Sequence, residues 1–171
     1  MHKPKISHIY LDMDGVIADF NRRYIELFHI DPKSAERKSK FDHYFEDFIQ
    51  GQNFATLPLM PNAMDLVQFL KSLPIPTVIL SSTANEEKWE EISKQKREWL
   101  ERNGINFRAI FVPGKKFKKY YASPSSLIID DTESIIDDWR EKGGPAIWYK
   151  DHHTTMLLLS WYLRFGNVDN T

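Results

Sequence analysis

The sequence predicts an α/β fold, a Rossmann-like parallel sheet with helices on both faces and a small helical cap inserted after strand one. Short apolar segments rich in β-branched residues alternate with longer amphipathic patterns, which is typical of βαβ units. One region, residues 21–57, breaks this alternation because it contains aromatic-rich helical patterns and no convincing strand. We therefore expect an α/β core domain of residues 1–20 and 58–171 and a helical cap of residues 21–57.

Each strand is predicted from a short apolar run bounded by turn residues or charged residues. The five predicted strands are Ile6–Leu11, Thr77–Leu80, Arg108–Val112, Ser126–Ile129 and Ala146–Tyr149. Strand one is expected at the centre of the sheet. The expected order, numbered along the chain, is three-two-one-four-five, with right-handed crossovers between the parallel strands.

Three helices are predicted between these strands. Residues Asn62–Ser72 place their apolar side chains at helical spacing. Residues Glu86–Asn103 form a long charged amphipathic pattern that ends at Asn-Gly, a helix-stop signal, and Ser134–Lys142 ends before Gly-Gly-Pro. The inserted region is rich in aromatic residues, which we expect to be mostly core with about two lining the pocket: Tyr24, Phe28, Phe41, Tyr44, Phe45, Phe48 and Phe54.

Composition excludes several classes of function. The net charge of −1 gives no general attraction to nucleic acid or acidic membranes, so we expect no stable nucleic-acid partner. With no cysteine, the chain has no disulfide, thiolate zinc site or cysteine nucleophile. The apolar stretch Met156–Leu163 is too short to span a bilayer. We expect a soluble cytoplasmic protein, whose amphipathic segment Thr154–Phe165 packs on the sheet or forms a homodimer contact.

Polar residues follow several predicted strands at the point where each strand ends. Asp12 and Asp14 follow strand one, and Asp130 and Asp131 follow strand four. Strand two runs into Ser81, Ser82 and Thr83, and the loop after strand three begins a lysine run at Lys115. Because the carboxyl ends of parallel strands meet at one edge, we expect all these side chains to share a crevice.

This set of residues suits phosphoryl chemistry. Clustered carboxylates bind Mg²⁺ together with water and phosphate oxygens. One aspartate can attack phosphorus, and a second can protonate the leaving oxygen and later activate water. Hydroxyl groups, backbone N–H groups and a lysine can neutralise charge on the transferring group.

Simpler interpretations remain for some of these residues. Asp131 can cap the helix that follows it, the hydroxyls after strand two can cap the next helix, and the lysine run can be a solvated loop. A calcium loop of the EF-hand type is excluded because it needs a third alternate acidic residue and a glutamate at position twelve, which are missing here.

The motifs resemble those of a known family. Asp12-Met-Asp-Gly-Val16, then serines after a strand, then a lysine, then Asp130-Asp131, are similar in order to the motifs of the haloacid dehalogenase superfamily of phosphatases. DMDGVIADF resembles the signature of the 5′(3′)-deoxyribonucleotidases, which also have a small helical cap between motifs one and two. The long connection before the last motif resembles phage-encoded relatives.

The resemblance implies a role for each carboxylate. Asp12 would be the nucleophile and a Mg²⁺ ligand, and Asp14 would be the general acid/base and give its backbone carbonyl to the metal. Asp131, and Asp130 beside it, would complete the metal site. The function implied is Mg²⁺-dependent hydrolysis of deoxyribonucleoside monophosphates through an aspartyl-phosphate.

The resemblance also suggests substrate contacts. Ser81 or Ser82 would hold the phosphate, with Lys96 reaching it from the helix after motif two. For the catalytic lysine, Lys115, Lys116 and Lys118 are candidates; we prefer Lys115, then Lys118, with Lys118 also assigned to phosphate binding. Phe20 would stack on the base, and Tyr44 and Phe54 are further candidates for the base pocket.

Two other functions fit the same residues. One is a phosphatase on this scaffold for another small phosphate ester or for a nucleic-acid end, because fold and chemistry transfer between relatives more safely than substrate does. The other is a nucleotide-binding module without turnover.

Overall fold

A computed structural model describes residues 5–166, without the side chains of residues 35–42. The strands are β1 (His8–Leu11), β2 (Thr77–Ser82), β3 (Arg108–Val112), β4 (Ser126–Asp130) and β5 (Ala146–Trp148). They form one parallel sheet in the order β3-β2-β1-β4-β5. The predicted fold class and strand order are therefore confirmed.

Helices connect the strands and cover the sheet. They are α1 (Phe20–Phe28), α2 (Ala35–Gln50), α3 (Ala63–Ser72), α4 (Trp89–Arg102), α5 (Glu133–Glu141) and α6 (His152–Phe165). Two 3₁₀ helices, Asn53–Thr56 and Lys115–Tyr121, add to these. The second 3₁₀ helix was not predicted, because its Lys-Lys-Phe-Lys-Lys sequence has no periodicity that separates a turn from a solvated loop.

The register of the sheet places the ends of β1 and β4 side by side. Leu11 of β1 pairs with Ile79 of β2 on one side and with Ile129 of β4 on the other. The Asp12 N–H continues this ladder by donating to the Ile129 carbonyl at 3.0 Å. The residues that follow these pairs, Asp12 and Asp130, therefore lie next to each other at the carboxyl edge.

The aromatic residues of the inserted region share a core with the sheet. Tyr24, Phe48 and Phe54 are buried in the same apolar cluster as the β1 residues Ile9 and Leu11. Phe48 and Phe54 pack edge to face with ring centroids 4.9 Å apart, a geometry that favours aromatic pairs beyond simple burial. The side chain of Phe41 lies outside the described residues.

Helix α4 anchors the inserted region through buried hydrogen bonds. The Gln95 side chain donates to the Ile49 carbonyl at 2.9 Å and accepts from the Phe54 N–H at 3.2 Å. Four residues on, Trp99 Nε1 donates to the Leu57 carbonyl at 2.8 Å, at the start of the return linker. The bonds to the Phe54 N–H and the Leu57 carbonyl satisfy buried backbone groups, and the bond to the Ile49 carbonyl adds to the one that this carbonyl accepts from the Gln52 N–H.

Helix α6 packs on the core through one face. Leu159 and Tyr162 are buried, whereas Leu157, Trp161 and Phe165 are each more than half exposed. In the part of the chain that the structure describes, no helix has the length and apolar character needed to cross a membrane.

Substituting Gln95 should destabilise the protein. Gln95→Met keeps the length of the side chain but removes both hydrogen bonds, leaving the Phe54 N–H buried without its partner and the Ile49 carbonyl with only the Gln52 N–H. We expect a loss of about 2–5 kcal/mol in the free energy of unfolding, measured by urea denaturation.

Lys94→Met is the matched control, because Lys94 is the exposed preceding residue of α4. It should change stability by less than about 0.5 kcal/mol. Equal effects of the two substitutions would show that Gln95 does not anchor the inserted region.

Candidate active site

A cavity of about 690 Å³ opens at the carboxyl edge of the sheet. Three carboxylate residues, Asp12, Asp14 and Asp131, contribute to its lining. The loops after β2, β3 and β4 contribute further lining residues, together with Gly15, Phe20, Ile135 of α5 and residues of the inserted region. The structure thus brings most of the predicted polar residues to one place.

The turn after β1 shapes the floor of this cavity. The Met13 carbonyl accepts hydrogen bonds from the N–H groups of Val16, Ile17 and Ala18 at 2.9–3.1 Å, which closes a tight turn. Gly15 has φ +81°, a conformation that residues with a Cβ rarely adopt. A Cβ at this position would also collide with the Asp131 carboxylate. Glycine therefore lets the turn after β1 and the loop after β4 approach closely.

Lys118 joins the two central strands of the site. Its Nζ donates to Asp12 Oδ1 at 2.8 Å and to Asp130 Oδ2 at 2.7 Å. The lysine is almost fully buried, which by itself lowers its pKa. The charges and hydrogen bonds of Asp12 and Asp130 outweigh burial and raise the pKa, so Lys118 stays protonated.

The geometry reverses the sequence-based preference for Lys115. Lys115 lines the cavity but is exposed, and Lys118 occupies the position between the carboxylates. The reason is the 3₁₀ helix after β3, which directs Lys118 to the floor of the site. Lys118 is therefore the candidate catalytic lysine.

Asp12, Asp130 and Asp131 form a candidate cation site. One carboxylate oxygen from each lies within 4.8 Å of the others. Burial, followed by repulsion from Asp12, raises the pKa of Asp130 to about 6 despite its bond to Lys118. Partial burial and the charges of Asp12 and Asp130 raise the pKa of Asp131 to about 7. A divalent cation would relieve this repulsion, so oxygen ligands and charge both fit Mg²⁺.

The Asp14 carboxylate belongs to a different cluster. It accepts from Lys96 Nζ at 2.6 Å through Oδ2, whereas its Oδ1 is buried and has no hydrogen-bond partner among the described residues. Lys96 also donates to Ser81 Oγ at 2.8 Å and to the Ser82 carbonyl at 3.0 Å. Asp14 could reach a cation only through its backbone carbonyl, as the resemblance implies.

This arrangement differs from the predicted phosphate site at two residues. Lys96 is 0% exposed and its three N–H donors meet three protein acceptors, so it holds Asp14 instead of reaching into the cavity. Ser81 is buried beside it and is not part of the cavity lining. Ser82 does line the cavity, and its Oγ accepts from the Ala84 N–H at 3.0 Å, which leaves its O–H available to donate to a ligand.

Of the three predicted base-binding residues, one lines the cavity and two do not. Phe20, the first residue of α1, is half-buried and lines the cavity. Phe54 is 3% exposed and stacks behind Phe20 with ring centroids 5.9 Å apart, and Tyr44 stacks on Phe28 at 4.6 Å. Neither Phe54 nor Tyr44 contributes to the lining, because both pack within the aromatic core.

Several lining residues were not predicted. Asn21, Pro32 and Lys33 enter from the inserted region, and Thr132 enters from the loop after β4. The Thr132 N–H donates to Asp130 Oδ1 at 2.9 Å, so the start of α5 helps to fix that carboxylate. No local sequence signal marks Pro32 or Lys33, since their position depends on how α1 and α2 fold back over the sheet.

Stability of the metal-free protein should fall as the pH rises. A carboxyl group whose pKa is raised on folding contributes stability below its unfolded pKa of about 4, and this is lost as pH increases through the folded pKa. For Asp130 and Asp131 that loss extends through about pH 6 and 7. We expect the Tm in EDTA to drop between pH 5 and 8, and Mg²⁺ to raise it more at pH 8.

Asp131→Asn provides the control, because it removes a titrating group and a ligand at once. Its Tm in EDTA should decline less between pH 5 and 8 than that of the wild type, and Mg²⁺ should stabilise it less. A Mg²⁺-induced Tm shift that is the same at both pH values would contradict the assignment.

Comparison with known proteins gives information only at the level of the fold. No protein-family model matches the sequence. No curated protein sequence matches it either.

Solved structures do match. A hydrolase from Streptococcus pneumoniae TIGR4 has a TM-score of 0.56 at 15% identity, covering 92% of this chain and 100% of that one. A predicted phosphatase from Clostridium acetobutylicum has a TM-score of 0.55 at 15% identity, covering 84% of each chain. A Had-superfamily hydrolase from Ehrlichia chaffeensis has a TM-score of 0.54 at 13% identity, covering 94% of this chain and 98% of that one. The chain thus has the fold found in haloacid dehalogenase superfamily hydrolases.

Proposed function

We propose that this protein is a Mg²⁺-dependent phosphomonoesterase that acts on deoxyribonucleoside monophosphates through an aspartyl-phosphate on Asp12. The observation that carries the proposal is the pairing of two lysine–carboxylate clusters at one sheet edge. Lys118 bridges Asp12 and Asp130, and Lys96 holds Asp14 two residues from Asp12. This gives two carboxylates in different environments, as a nucleophile and an acid/base require.

The cation site supports the role of Asp12 as the nucleophile. Asp12, Asp130 and Asp131 would hold Mg²⁺, with the Asp14 carbonyl as a further ligand. When bound, the ion would neutralise charge on the phosphate oxygens and reduce their repulsion of an attacking carboxylate. Lys118 contributes a fixed positive charge beside Asp12 in the same buried environment.

The proposed reaction has two steps. An Asp12 carboxylate oxygen attacks phosphorus and the bond to the leaving oxygen breaks, while Asp14 donates a proton to that oxygen. A water molecule then attacks the aspartyl-phosphate, and Asp14 takes a proton from it. The second step releases inorganic phosphate and restores the Asp12 carboxylate. Ser82, which lines the cavity, is placed to donate to a phosphate oxygen.

Lys96 has a positioning role in this scheme. Its bond to Asp14 Oδ2 fixes the carboxyl group, and Asp14 Oδ1, which has no partner in the described structure, is then the atom assigned to carry the proton. Ser81 and the Ser82 carbonyl hold the ammonium group in place. The cluster therefore fixes the orientation of Asp14, whereas Lys118 places a positive charge beside Asp12.

Size and lining support a mononucleotide as substrate. A cavity of about 690 Å³ is in the range that encloses a molecule of this size. Phe20, at the start of α1 and next to the inserted region, presents an aromatic surface in the cavity lining. A ring at this position can stack on a nucleobase.

The first test is phosphate release from dUMP, dTMP and dGMP, the matching ribonucleotides and an aryl phosphate, with Mg²⁺ or with EDTA. We expect Mg²⁺-dependent release that favours deoxyribonucleotides. Asp12→Asn should reduce turnover by about a thousandfold or more because the nucleophile is lost.

Each other outcome has a definite meaning. Release from the aryl phosphate alone would support the phosphatase mechanism and exclude nucleotides as the substrate class. No release from any substrate, with nucleotide still bound, would favour a binding module. Phe20→Leu separates stacking from packing: it should raise KM for nucleotides and leave KM for the aryl phosphate nearly unchanged, whereas a parallel loss would assign Phe20 to packing.

Substituting Lys96 should impair the reaction in a way that depends on the leaving group. With Asp14 no longer held, substrates whose leaving oxygen needs a proton should suffer most. For Lys96→Met we expect kcat for a nucleotide to fall about tenfold or more beyond the fall for p-nitrophenyl phosphate, which leaves readily without protonation.

Lys94→Met, on the exposed side of α4, is the matched control and should leave both rates unchanged. Circular dichroism of each variant checks that the fold is retained, and Lys96→Arg provides a second variant if the methionine variant does not fold. If the two substrates lose the same factor in the folded variant, Lys96 does not act through the acid.

A further inference from the structure

Three exposed lysines line the cavity and have no assigned role in the reaction; we call the exposed part of the lining that they form the mouth. Lys33 lies in the loop between α1 and α2, and Lys115 and Lys116 begin the 3₁₀ helix after β3. All three are exposed and line the cavity. They approach it from different parts of the fold, the inserted region and the core.

These lysines do not pair with the carboxylates of the floor, and Asp131, to which no lysine of the described residues bonds, belongs to the candidate cation site. Asp12 and Asp130 already bond to Lys118, and Asp14 bonds to Lys96. Across the described part of the chain, no carboxylate lies within the 4.0 Å ion-pair limit of Lys33, Lys115 or Lys116. The mouth therefore carries three like charges that an anion can neutralise.

The 3₁₀ helix relates the mouth to the floor. Residues three apart lie on the same face of such a helix and are separated by about 6 Å along its axis. Lys115 and Lys118 have this spacing, and both line the cavity. One face of the helix thus presents one ammonium group to Asp12 at the floor and another toward the exposed mouth.

We propose that the mouth is a subsite for a second phosphate group of the substrate, bound by Lys33, Lys115 and Lys116 while the first phosphate reacts at Asp12. The preferred substrate class is then a phosphate monoester carrying another phosphate, such as a deoxynucleoside 3′,5′-bisphosphate. This rests on the proposed phosphatase function and deepens it, because it assigns the end of the substrate that does not react. Lys33 reaches the second phosphate from the inserted region and the other two from the core.

General attraction of anions to a basic mouth is a weaker alternative, and the substrate pair separates the two. Long-range attraction accelerates capture of any anionic substrate and weakens with salt for all of them. A subsite changes the ratio of kcat/KM between a bisphosphate and the corresponding monophosphate. That ratio is therefore the quantity to measure.

The experiment compares a deoxynucleoside 3′,5′-bisphosphate with its 5′-monophosphate and 3′-monophosphate at fixed ionic strength. We expect wild-type kcat/KM to favour the bisphosphate. Lys33→Gln, Lys115→Gln and Lys116→Gln should each lower that preference about two- to fivefold, as exposed charge pairs do. Lys119→Gln is the matched control from the same 3₁₀ helix, outside the cavity lining, and should leave the preference unchanged.

Binding to the Asp12→Asn protein, measured by calorimetry with the same compounds, keeps the subsite testable without turnover. Tighter binding of the bisphosphate, lost in the triple glutamine variant, supports the subsite even if no phosphate is released by the wild type; that combination would overturn the proposed reaction alone. Equal binding and equal kcat/KM for mono- and bisphosphate would overturn the subsite and leave the phosphatase function standing. An effect of Lys119→Gln equal to that of Lys115→Gln would also overturn it.

Discussion

The bond of Lys118 to Asp12 and Asp130 is the interaction on which the site depends. Two carboxylates at neighbouring strand ends would repel each other strongly in a buried position. The ammonium group between them offsets this repulsion and fixes both side chains. The arrangement also explains why the 3₁₀ helix follows β3, since the chain must turn back across the sheet edge to bring Lys118 to β1. The register of β1 and β4, the 3₁₀ helix after β3 and the charge of Lys118 therefore depend on one another.

A second lysine, Lys96, likewise bonds a partly buried carboxyl group, that of Asp14 in the turn after β1. Lys96 approaches from α4 and meets one carboxylate, one hydroxyl and one carbonyl. Asp12 and Asp14 are two residues apart, yet each has its own lysine. The turn at Gly15 makes this separation geometrically possible, because it directs the chain away after Asp14 and leaves room for Asp131. Two carboxylates only two residues apart in sequence can thus differ in environment.

Sequence reasoning predicted the sheet well because buried parallel strands have a strong local signal, and it predicted the carboxylates because they end those strands. It could not choose between Ser81 and Ser82. Neighbouring strand residues face opposite sides of a sheet, but the pattern does not say which side the helix α4 covers. It chose Lys115 over Lys118 because the turn that separates them has no sequence signature. The packing of α4 and of the 3₁₀ helix, which the local sequence does not specify, determines which serine and which lysine reach the site.

Helix α4 has a further consequence. Within five consecutive residues it holds the inserted region through Gln95, Asp14 through Lys96 and the return linker through Trp99. Inserting one residue into this stretch would rotate the remainder of the helix by about 100°, so these contacts could not all be kept. The loop between α1 and α2 makes none of these three contacts, so a change in its length would not rotate them, whereas this part of α4 sets the spacing between the inserted region and Asp14. In proteins that share these α4 contacts, changes in substrate preference would therefore arise in the loops, and the length of α4 would stay the same.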